Sequence, residues 1–378
     1  MQFSCESAQL AKAVNTVKKA ISSSPNAPIF SGIHMSLNGN TLELVAMDVN
    51  FSMKKVLEVN GNEDGVILVP AQSLGDLLAK FSTDILTLTQ KEGTQELTLT
   101  SETGTYHIPL IGSDDYPSFP EFEGERILTL PEDLLGQLIR QTVYACSTDE
   151  SRPLFTGVFM EKKGQHITCV GTNTHRLAIK SADPETADDS EYSLLIPARV
   201  LKEIANNLTG ELPEDVAIIQ KDSKILVRMG SLSLVSSLIE GTFPDYSRPI
   251  PPSFKNRSVL NRQDLERAIQ RVSLFAQGEY NIIRLNIEAD RVILSSAASD
   301  RGQGMEIMEG VTTGEELPLN IAFNSKYLMD FCKNISCDQV VLETNSSLSP
   351  ARMMPVDDPS YTYIITPCLL YTSDAADD

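Results

Sequence analysis

Histidines are few in this sequence, and they lack the spacing that holds a metal ion. His34, His107, His166 and His175 are not spaced from a cysteine or from one another as metal ligands usually are. The six cysteines are scattered, and none forms a CxxC pair. We therefore expect no metal site and interpret the cysteines as free, mostly buried thiols in a reducing cytoplasm.

Long hydrophobic runs are absent as well. No apolar stretch approaches the roughly 20 residues that a helix needs to cross a bilayer. The segment from Met1 to Ser7 has neither the basic part nor the apolar part of a signal peptide. These absences predict a cytoplasmic protein without a membrane segment.

The common motifs of nucleotide binding and hydrolysis are also missing. The sequence contains no G-x-G-x-x-G, no Walker loop, no H-E-x-x-H and no G-x-S-x-G, so we expect no cofactor. One pairing leaves an enzyme open, because His175 with Asp300 or Asp245 could act as the acid–base pair of a hydrolase or transferase. Acidic pairs such as Asp114-Asp115 are interpreted as solvated loop residues.

Positive charge is scarce. The chain has 31 Lys and Arg against 51 Asp and Glu, and this net charge of −20 argues against binding nucleic acid by affinity. The segment 7–21, however, carries three lysines and no acid, and the segments 198–208, 261–276 and 324–334 each have a net charge of +1. These segments have helical patterns, so the bias indicates either solvated helix faces or one helical surface that faces a polyanion.

The sequence does contain one pattern that occurs three times. Apolar residues at helical spacing begin at Leu10, Leu135 and Leu265. Before the third helix, Asn261 and Asp264 resemble an N-cap with an acid three residues later. Three similar helix starts in one chain indicate three related units.

The spacing of proline-containing pairs supports a duplication. Pro70 and Pro197 each precede an alanine and lie 127 residues apart, and Pro117 and Pro244 each follow an aromatic residue at the same separation. A period of this size indicates a duplicated domain, since solenoid repeats have periods of roughly 20–50 residues.

Each predicted helix is followed by strands, a second helix and further strands. The first strands are predicted at 29–35, 154–160 and 282–287, and the second helices at 74–81, 200–208 and 325–332. Strands outnumber helices and alternate in polarity. We therefore predict an α+β chain with antiparallel sheets, in which the helices of each repeat lie on one face of its sheet.

The stretch Gly171-Thr-Asn-Thr-His-Arg-Leu-Ala178 lies near the middle of the chain. It is a turn between two predicted strands, 165–170 and 177–180. Its His-Arg-Leu sequence offers hydrogen-bond donors beside an apolar side chain, which suits either catalysis or the binding of a peptide.

Three motifs together carry a resemblance to a known family. They are Thr172-Asn-Thr-His-Arg-Leu177, Glu240-Gly-Thr-Phe-Pro-Asp-Tyr246 and the final strand Tyr363-Ile-Ile-Thr-Pro367. The chain resembles the β subunit of bacterial DNA polymerase III, the sliding clamp. The resemblance implies a non-catalytic homodimer that closes head to tail into a ring, with helices on the inner face and sheets outside. The clamp domains would span residues 1–125, 126–252 and 253–367.

The resemblance also implies partners. Double-stranded DNA would pass through the ring, and the DNA polymerase III alpha subunit, the clamp loader and other clamp-binding-motif proteins of replication and repair would bind the protein. Partner peptides would occupy a cleft with these matching positions: Phe155, Gly157, Thr172, Thr174, His175, Arg176, Leu177, Pro244, Arg248, Pro249, Ser349, Ile364, Thr366 and Pro367.

Two further sets follow from the ring that the resemblance implies. The dimer contact would join Tyr106 and Ile108 of a first-repeat strand to Leu274 and Phe275 of the other subunit. The residues facing DNA would be Lys12, Lys18, Lys19, Arg140, Arg199, Lys202, Arg267, Arg271 and Lys326.

The sequence departs from the family at three places. Asn173 stands where the family usually has aspartate, which removes a charge but keeps the ability to accept hydrogen bonds. Ser24 stands where some relatives have a basic residue that contacts DNA. The family usually ends with proline, a hydrophobic residue and arginine, whereas here Pro367 is followed by an acidic tail. We interpret residues 368–378 as non-native, from a frameshift or a join in sequence assembly.

Overall fold

The computed structural model describes residues 1–22, 27–82, 84–91, 93–184, 189–210, 215–276, 281–297 and 302–368, without the side chains of 125–127. Ser24, Asp300 and the tail after Cys368 therefore lie outside the described residues. The helices within the described residues are α1 (Ser7–Val17), α2 (Ala71–Leu78), α3 (Glu132–Arg140), α4 (Ala198–Asn206), α5 (Arg262–Ser273) and α6 (Ser325–Lys333).

Strands make up most of the remaining regular structure. Those before α3 are β1 (Gln2–Glu6), β2 (Gly32–Asn38), β3 (Thr41–Met47), β4 (Phe51–Glu58), β5 (Asn60–Glu63), β6 (Gly65–Pro70), β7 (Ile85–Thr89), β8 (Glu96–Thr100), β9 (Thr105–Pro109) and β10 (Glu125–Leu130). Those between α3 and α5 are β11 (Gly157–Lys163), β12 (His166–Thr172), β13 (Arg176–Ala182), β14 (Glu191–Pro197), β15 (Val216–Lys221), β16 (Lys224–Met229), β17 (Leu232–Ser237) and β18 (Asn256–Asn261). The last are β19 (Ile282–Ile287), β20 (Arg291–Ser296), β21 (Met305–Gly314), β22 (Leu319–Asn324), β23 (Gln339–Thr344), β24 (Ala351–Pro355) and β25 (Tyr361–Ile365).

The chain divides into two compact units, Met1–Asp133 with Asn206–Leu238 and Leu134–Ala205 with Ile239–Asp378. The first unit holds a five-stranded sheet, β5-β1-β7-β8-β9, and an eight-stranded sheet, β10-β15-β16-β17-β4-β3-β2-β6. The second holds a twelve-stranded sheet, β14-β11-β12-β13-β25-β24-β23-β18-β21-β20-β19-β22. The α+β class with antiparallel sheets is confirmed.

The sheets cross the boundaries of the sequence repeats, which the sequence did not indicate. In the first unit, β17 pairs with β4, from Leu232 opposite Lys55 to Ser236 opposite Phe51. In the second unit, β13 pairs with β25. Because an unpaired strand edge exposes backbone donors and acceptors, each repeat completes its sheets with strands of its neighbour.

The predicted helices are present, and one predicted cap is confirmed. The buried residues of α5 include Leu265, Ile269 and Val272, as the spacing predicts. The Asn261 side chain accepts a hydrogen bond from the Asp264 backbone N–H at 3.0 Å. This bond satisfies one of the donors that a helix N-terminus leaves without a partner.

Two strands begin later than predicted. Instead of strands at 29 and 154, short 3-10 helices occupy Pro28–Ser31 and Pro153–Phe155, and the strands start at Gly32 and Gly157. Proline has a fixed φ that suits the first residue of a helical turn. The apolar residues that follow each proline therefore belong to a turn.

The second unit is built around a layer of aromatic residues beneath the sheet. Tyr361 and Tyr363 of β25 are fully buried, and their rings lie 6.0 and 5.3 Å from the ring of Phe331 in α6. Because side chains alternate along a strand, Ile364 points to the opposite face. There it joins Val170 and Leu177 in a separate apolar cluster.

A partly buried ion pair holds β13 to the loop before β25. The Lys180 ammonium lies 2.6 Å from Asp358 Oδ2 and donates to Ser360 Oγ at 2.7 Å. Burial opposes the ionised form of Asp358, but the bonds from Lys180 and Ser360 outweigh it and lower the pKa of this carboxyl group. The pair therefore stabilises the fold at neutral pH.

The cysteines are free thiols, as predicted. Burial raises the pKa values of Cys5, Cys146, Cys169 and Cys332 to about 12, so these thiols are protonated at neutral pH. No helix in the described part of the chain is long and apolar enough to cross a membrane.

Removing the α5 cap tests the capping assignment. We expect Asn261→Ala to lower the free energy of unfolding by about 1 kcal/mol, because the Asp264 N–H loses its acceptor. The exposed neighbour Gln263 provides the control, and Gln263→Ala should change stability by less than roughly 0.5 kcal/mol. Urea denaturation measures both, and equal effects would contradict the assignment.

Acid sensitivity tests the Lys180–Asp358 pair. A carboxyl group whose pKa is lowered by folding stabilises the protein above its unfolded pKa, and this stabilisation is lost as pH falls through the folded pKa. We expect Asp358→Asn to cost roughly 1–3 kcal/mol at pH 7, between the values of exposed and buried pairs. The difference from the wild type should narrow below about pH 4. Denaturation at pH 7 and pH 3 measures the difference in free energy of unfolding between the two proteins, with Asp357→Asn as the exposed control. A difference of the same size at both pH values would contradict the role of the pair.

Candidate functional site

The turn between β12 and β13 is held by its own polar side chains. Asn173 Oδ1 accepts hydrogen bonds from the backbone N–H groups of His175 at 3.0 Å and Arg176 at 3.1 Å. Thr172 Oγ1 donates to the Arg176 carbonyl oxygen at 2.6 Å and accepts from the Thr174 N–H at 3.1 Å. The short polar residues of the motif therefore fix the shape of the turn.

Thr174 occupies a strained position in this turn. Its φ is 76°, in the left-handed region that a β-branched residue rarely adopts. Such a conformation costs of order 1–3 kcal/mol and persists only where the surroundings over-determine it. The hydrogen bonds made by Thr172 and Asn173 provide that constraint.

Beside the turn lies a cavity of about 160 Å³. Its walls come from the turn, from the chain after Phe243 and from the end of β25. The lining residues are Phe155, Thr172, Thr174, Arg176, Leu177, Phe243, Pro244, Asp245, Tyr246, Pro249, Ile364 and Thr366. An apolar floor with polar groups at its edge suits apolar side chains of a ligand whose backbone is held by hydrogen bonds.

Aromatic stacking positions the wall that Phe243 begins. The Phe243 ring stacks on Phe159 with centroids 4.9 Å apart and meets Phe155 edge-on at 6.2 Å. The Tyr246 ring lies 6.2 Å from Phe159, and its hydroxyl donates to Glu161 Oε2 at 3.4 Å. These contacts fix the segment from Phe243 to Tyr246 against the face of β11 that carries Phe159 and Glu161.

The structure brings together most of the residues predicted for the cleft. Nine of them line the cavity: Phe155, Thr172, Thr174, Arg176, Leu177, Pro244, Pro249, Ile364 and Thr366. Sequence reasoning missed Phe243, Asp245 and Tyr246 as lining residues, although all three belong to the quoted Phe-Pro-Asp-Tyr motif.

Five predicted cleft residues do not line the cavity. The His175 carbonyl oxygen accepts from the Thr366 N–H at 3.0 Å, and the residue itself is exposed. Arg248 is exposed near Asp245, with 3.4 Å between Nε and Oδ2. Ser349 Oγ lies 2.8 Å from Ser346 Oγ. The other two are Gly157 and Pro367.

The side chain of Arg176 turns away from the role expected of it. Its guanidinium donates to Asp330 Oδ2 at 2.6 Å and to the Tyr144 carbonyl oxygen, and it lies 4.5 Å from the centre of the Tyr327 ring. The residue is only 7% exposed. The Asp330 carboxylate and the Tyr144 carbonyl oxygen therefore accept the hydrogen bonds that Arg176 was expected to offer to a ligand. That expectation is not supported.

The acid–base pairing that left an enzyme open receives no support in the described residues. The Asp245 carboxylate accepts from the Ser247 N–H at 3.0 Å and the Ser247 hydroxyl at 2.6 Å, and these bonds lower its pKa. Among the described residues, no hydrogen bond joins the His175 ring to an acid. Asp300 lies outside them.

A larger cavity of about 910 Å³ lies elsewhere in the second unit, lined by residues that include His166, Lys180, Ser181 and Arg352. Its two permanent cations already have partners, since Lys180 binds Asp358 and Arg352 donates to Glu343 at 2.6 Å. The smaller cavity is lined by residues of the 172–177 and 240–246 motifs, and it is therefore the candidate functional site.

The basic residues predicted to face DNA lie on helices or directly after them, and most are exposed. The exposed ones include Lys12 on α1, Arg140 on α3, Arg199 and Lys202 on α4, and Lys326 on α6. Lys18 and Lys19 form part of the 3-10 turn after α1.

On α5 the structure alters the charge estimate. Arg267 Nη2 lies 2.6 Å from Asp264 Oδ1, an acid that the sequence-based charge already includes. Arg271 also makes a bidentate ion pair with Glu306 of β21, in which Arg271 Nη2 lies 2.8 Å from Glu306 Oε2. The hydrogen bonds that Arg271 donates to the Glu306 carboxylate raise the pKa of Arg271. With Glu306 included, the local charge of +1 becomes neutral.

The residues predicted for the dimer contact differ in exposure. Tyr106 of β9 is 39% exposed, and its ring meets Phe81 edge-on at 5.7 Å. Ile108 is buried in its own unit, so Tyr106 is the one of these two predicted β9 residues whose side chain is exposed. Leu274, directly after α5, is 68% exposed, and Phe275 is half-buried.

Comparison with known proteins gives consistent matches along the chain. Family models described as the N-terminal, central and C-terminal domains of the DNA polymerase III beta subunit match residues 1–120, 129–245 and 247–369. The beta sliding clamp of Staphylococcus epidermidis is 30% identical over 381 residues, covering 98% of this chain and 100% of the relative. That of Bacillus subtilis is 28% identical with the same coverage.

Solved structures show the same likeness. The DNA polymerase sliding clamp from Bacillus subtilis superposes with a TM-score of 0.88 at 27% identity, covering 98% of this chain and 100% of that one. The beta subunit from DNA polymerase of Streptococcus pyogenes gives 0.88 at 26% identity with the same coverage. The chain therefore belongs to the DNA polymerase III beta subunit family, the beta sliding clamps.

Proposed function

We propose that this protein is a DNA sliding clamp that encircles duplex DNA and tethers the replicative polymerase for processive synthesis. The observation that carries the proposal is the match to all three domains of the DNA polymerase III beta subunit, which together span residues 1–369 with short gaps. The protein is an accessory subunit without catalysis of its own, and it requires no cofactor.

The charge distribution suits a ring that slides. Tight phosphate contacts would immobilise a clamp, and the net charge of −20 makes such contacts few. Retention comes from closure of the ring around DNA, and a thin basic lining reduces repulsion. The lining residues we propose are Lys12, Lys18, Lys19, Arg140, Arg199, Lys202 and Lys326, with Arg267 and Arg271 contributing less because acids neutralise them.

Two strand edges support a head-to-tail dimer. In the first unit, β9 is the last strand of its sheet. In the second unit, residues 305–309 of β21 pair with β20, whereas β18 pairs only with residues 310–314. The other edge of residues 305–309 has no strand partner within the described residues, and Met305 and Ile307 are exposed beside it.

We propose that β9 of one subunit pairs with this edge of β21 in the other, next to Leu274 and Phe275. The contact joins different surfaces. Such contacts form a ring where the rotation between copies closes, which we propose happens after two copies. Pairing would also remove two exposed strand edges that would otherwise favour aggregation.

The cleft beside Leu177 is the proposed docking site for partners. Extended peptides of the polymerase alpha subunit, the clamp loader and repair proteins would insert apolar side chains between Leu177, Ile364 and Pro244. The exposed residues His175, Arg248 and Ser349 would contact the parts of a peptide outside the cavity. Gly157 and Pro367 complete the proposed set.

We further propose clamp domains at 1–125, 126–252 and 253–367, in a protein of the bacterial cytoplasm. The non-native origin of 368–378 stays a prediction. Of that tail, only Cys368 is described, and its N–H donates to the Ala322 carbonyl oxygen at 2.8 Å. Sequencing the source gene through this codon tests the prediction, and an intact frame with this tail would overturn it.

Peptide binding tests the cleft. A fluorescent peptide of the Gln-Leu-x-Leu-Phe type should bind saturably, and Leu177→Ala should weaken binding about tenfold or more, because a central apolar anchor is lost. Val356→Ala, an exposed apolar residue outside the cavity, should leave the dissociation constant unchanged. Fluorescence anisotropy on the full chain and on a chain ending at Pro367 measures both. Equal binding by Leu177→Ala and the wild type would place the site elsewhere.

The molecular mass in solution tests the dimer. Light scattering should give twice 41.5 kDa for the wild type, and Leu274→Asp should shift the mass toward 41.5 kDa, because a charge cannot be buried in an apolar contact without a partner. Val49→Asp replaces an equally exposed apolar residue of the first unit and should remain a dimer. A Leu274→Asp variant that stays dimeric would exclude this contact.

A further inference from the structure

The turn that lines the cleft has a counterpart in the first unit, between β3 and β4. There Asp48 Oδ1 accepts hydrogen bonds from the backbone N–H groups of Asn50 at 2.8 Å and Phe51 at 2.9 Å. Asn173 Oδ1 accepts the same two bonds from the residues two and three positions after it. The two turns therefore have the same internal support.

The strand that ends beside each turn is also equivalent. The Asn50 carbonyl oxygen accepts from the Ser237 N–H at 3.0 Å, and the His175 carbonyl oxygen accepts from the Thr366 N–H at the same distance. The pairing of β4 with β17 thus reproduces the pairing of β13 with β25. The ladder that carries the cleft in the second unit is duplicated in the first.

An aromatic wall accompanies the turn in the first unit as well. The Tyr116 ring stacks on His34 with centroids 5.2 Å apart and lies 6.4 Å from the Phe30 ring. Phe243, 127 residues later, contacts two rings of the second unit at 4.9 and 6.2 Å. The first unit therefore repeats the wall of the cleft together with its turn.

The floor of the counterpart differs from that of the cleft at one position. Ser52 lies opposite Val235, as Leu177 lies opposite Ile364. Opposite side chains of a ladder share one face, so Ser52 lies beside Val235 on the face where Phe119 packs. A serine in the place of a leucine leaves a deeper floor.

The rim of the counterpart is apolar and accessible. Val49, at the turn position that Thr174 has in the cleft, is 65% exposed. Pro117, at the position of Pro244, is exposed as well. Thr174 and Pro244 both line the cleft, so their counterparts mark the rim of a similar groove.

We infer that the first unit contains a second docking groove, with Ser52 and Val235 as its floor, which binds an extended peptide through a tyrosine side chain. The inference rests on the proposed function of the cleft, because the two sites share one frame. It extends peptide binding to the ladder of β4 and β17.

The smaller floor residue determines the ligand. Ser52 is 6% exposed, and its hydroxyl has no hydrogen-bond partner within the part of the chain that the structure describes. A purely apolar anchor placed there would leave this hydroxyl unpaired, which costs free energy. A tyrosine satisfies both features, because its ring packs against the aromatic wall and its hydroxyl bonds to Ser52 Oγ.

Peptide binding to a protein with a weakened cleft tests the second groove. In the Leu177→Ala variant, a fluorescent peptide of the Gln-Leu-x-Leu-Tyr type should bind saturably in fluorescence anisotropy. Adding Val49→Asp should weaken this binding about tenfold or more, because a charge replaces an apolar contact at the rim. Ile85→Asp, at an exposed apolar residue of the other sheet of the first unit, is the matched control and should leave the affinity unchanged.

The Ser52→Ala variant tests the hydrogen bond without adding bulk. In the Leu177→Ala background it should weaken binding of the tyrosine peptide roughly threefold to tenfold, because one hydrogen bond is lost. The Gln-Leu-x-Leu-Phe-type peptide has no hydroxyl at that position, so its affinity should not change. A variant that had lost its fold would weaken both peptides.

Failure of the second groove and failure of the cleft give different results. A wild type that does not bind the Gln-Leu-x-Leu-Phe-type peptide overturns the proposed function of the cleft. No saturable binding of the tyrosine peptide to Leu177→Ala, or binding that Val49→Asp leaves unchanged, overturns the second groove. Equal effects of Ser52→Ala on the two peptides overturn the assignment of tyrosine, whereas a loss confined to the tyrosine peptide supports it.

Discussion

Pairing between β13 and β25 is the interaction on which the functional part of this molecule depends. Leu177 lies opposite Ile364, and Ile179 lies opposite Thr362, so a strand of the second repeat and the last strand of the third form one continuous ladder. The cleft sits on one face of this ladder and the aromatic core on the other. A shift by one residue would exchange the two faces.

Side-chain alternation assigns a separate task to each face of the ladder. Tyr361, Tyr363 and Ile365 fill the core against α6, whereas Leu177 and Ile364 form the floor of the cleft. Arg176, directly before Leu177, belongs to the core side and carries the ion pair with Asp330. Neighbouring residues of the same strands therefore form the cleft on one face of the ladder and the core on the other.

Much of this organisation could be predicted from the sequence, because it depends on local patterns. Helical spacing located α1, α3 and α5, and the motif around Thr172 located the turn. The pairing of β13 with β25 could not be predicted, since it joins segments more than 180 residues apart. The same limitation applied to two ion pairs. Glu306 of β21 neutralises Arg271 from 35 residues away, and Asp330 pairs with Arg176 from 154 residues away.

Retention by closure of the proposed ring requires few contacts with DNA. An acidic protein with neutral charge on α5 has little affinity for phosphates, so its residence on DNA must depend on topology. The most direct test loads the protein onto nicked circular DNA with a clamp loader and separates bound from free protein by gel filtration. The account predicts that the protein elutes with the circle and is released when a single cut makes the DNA linear. Equal retention before and after the cut, or no retention on the circle after loading, would contradict it.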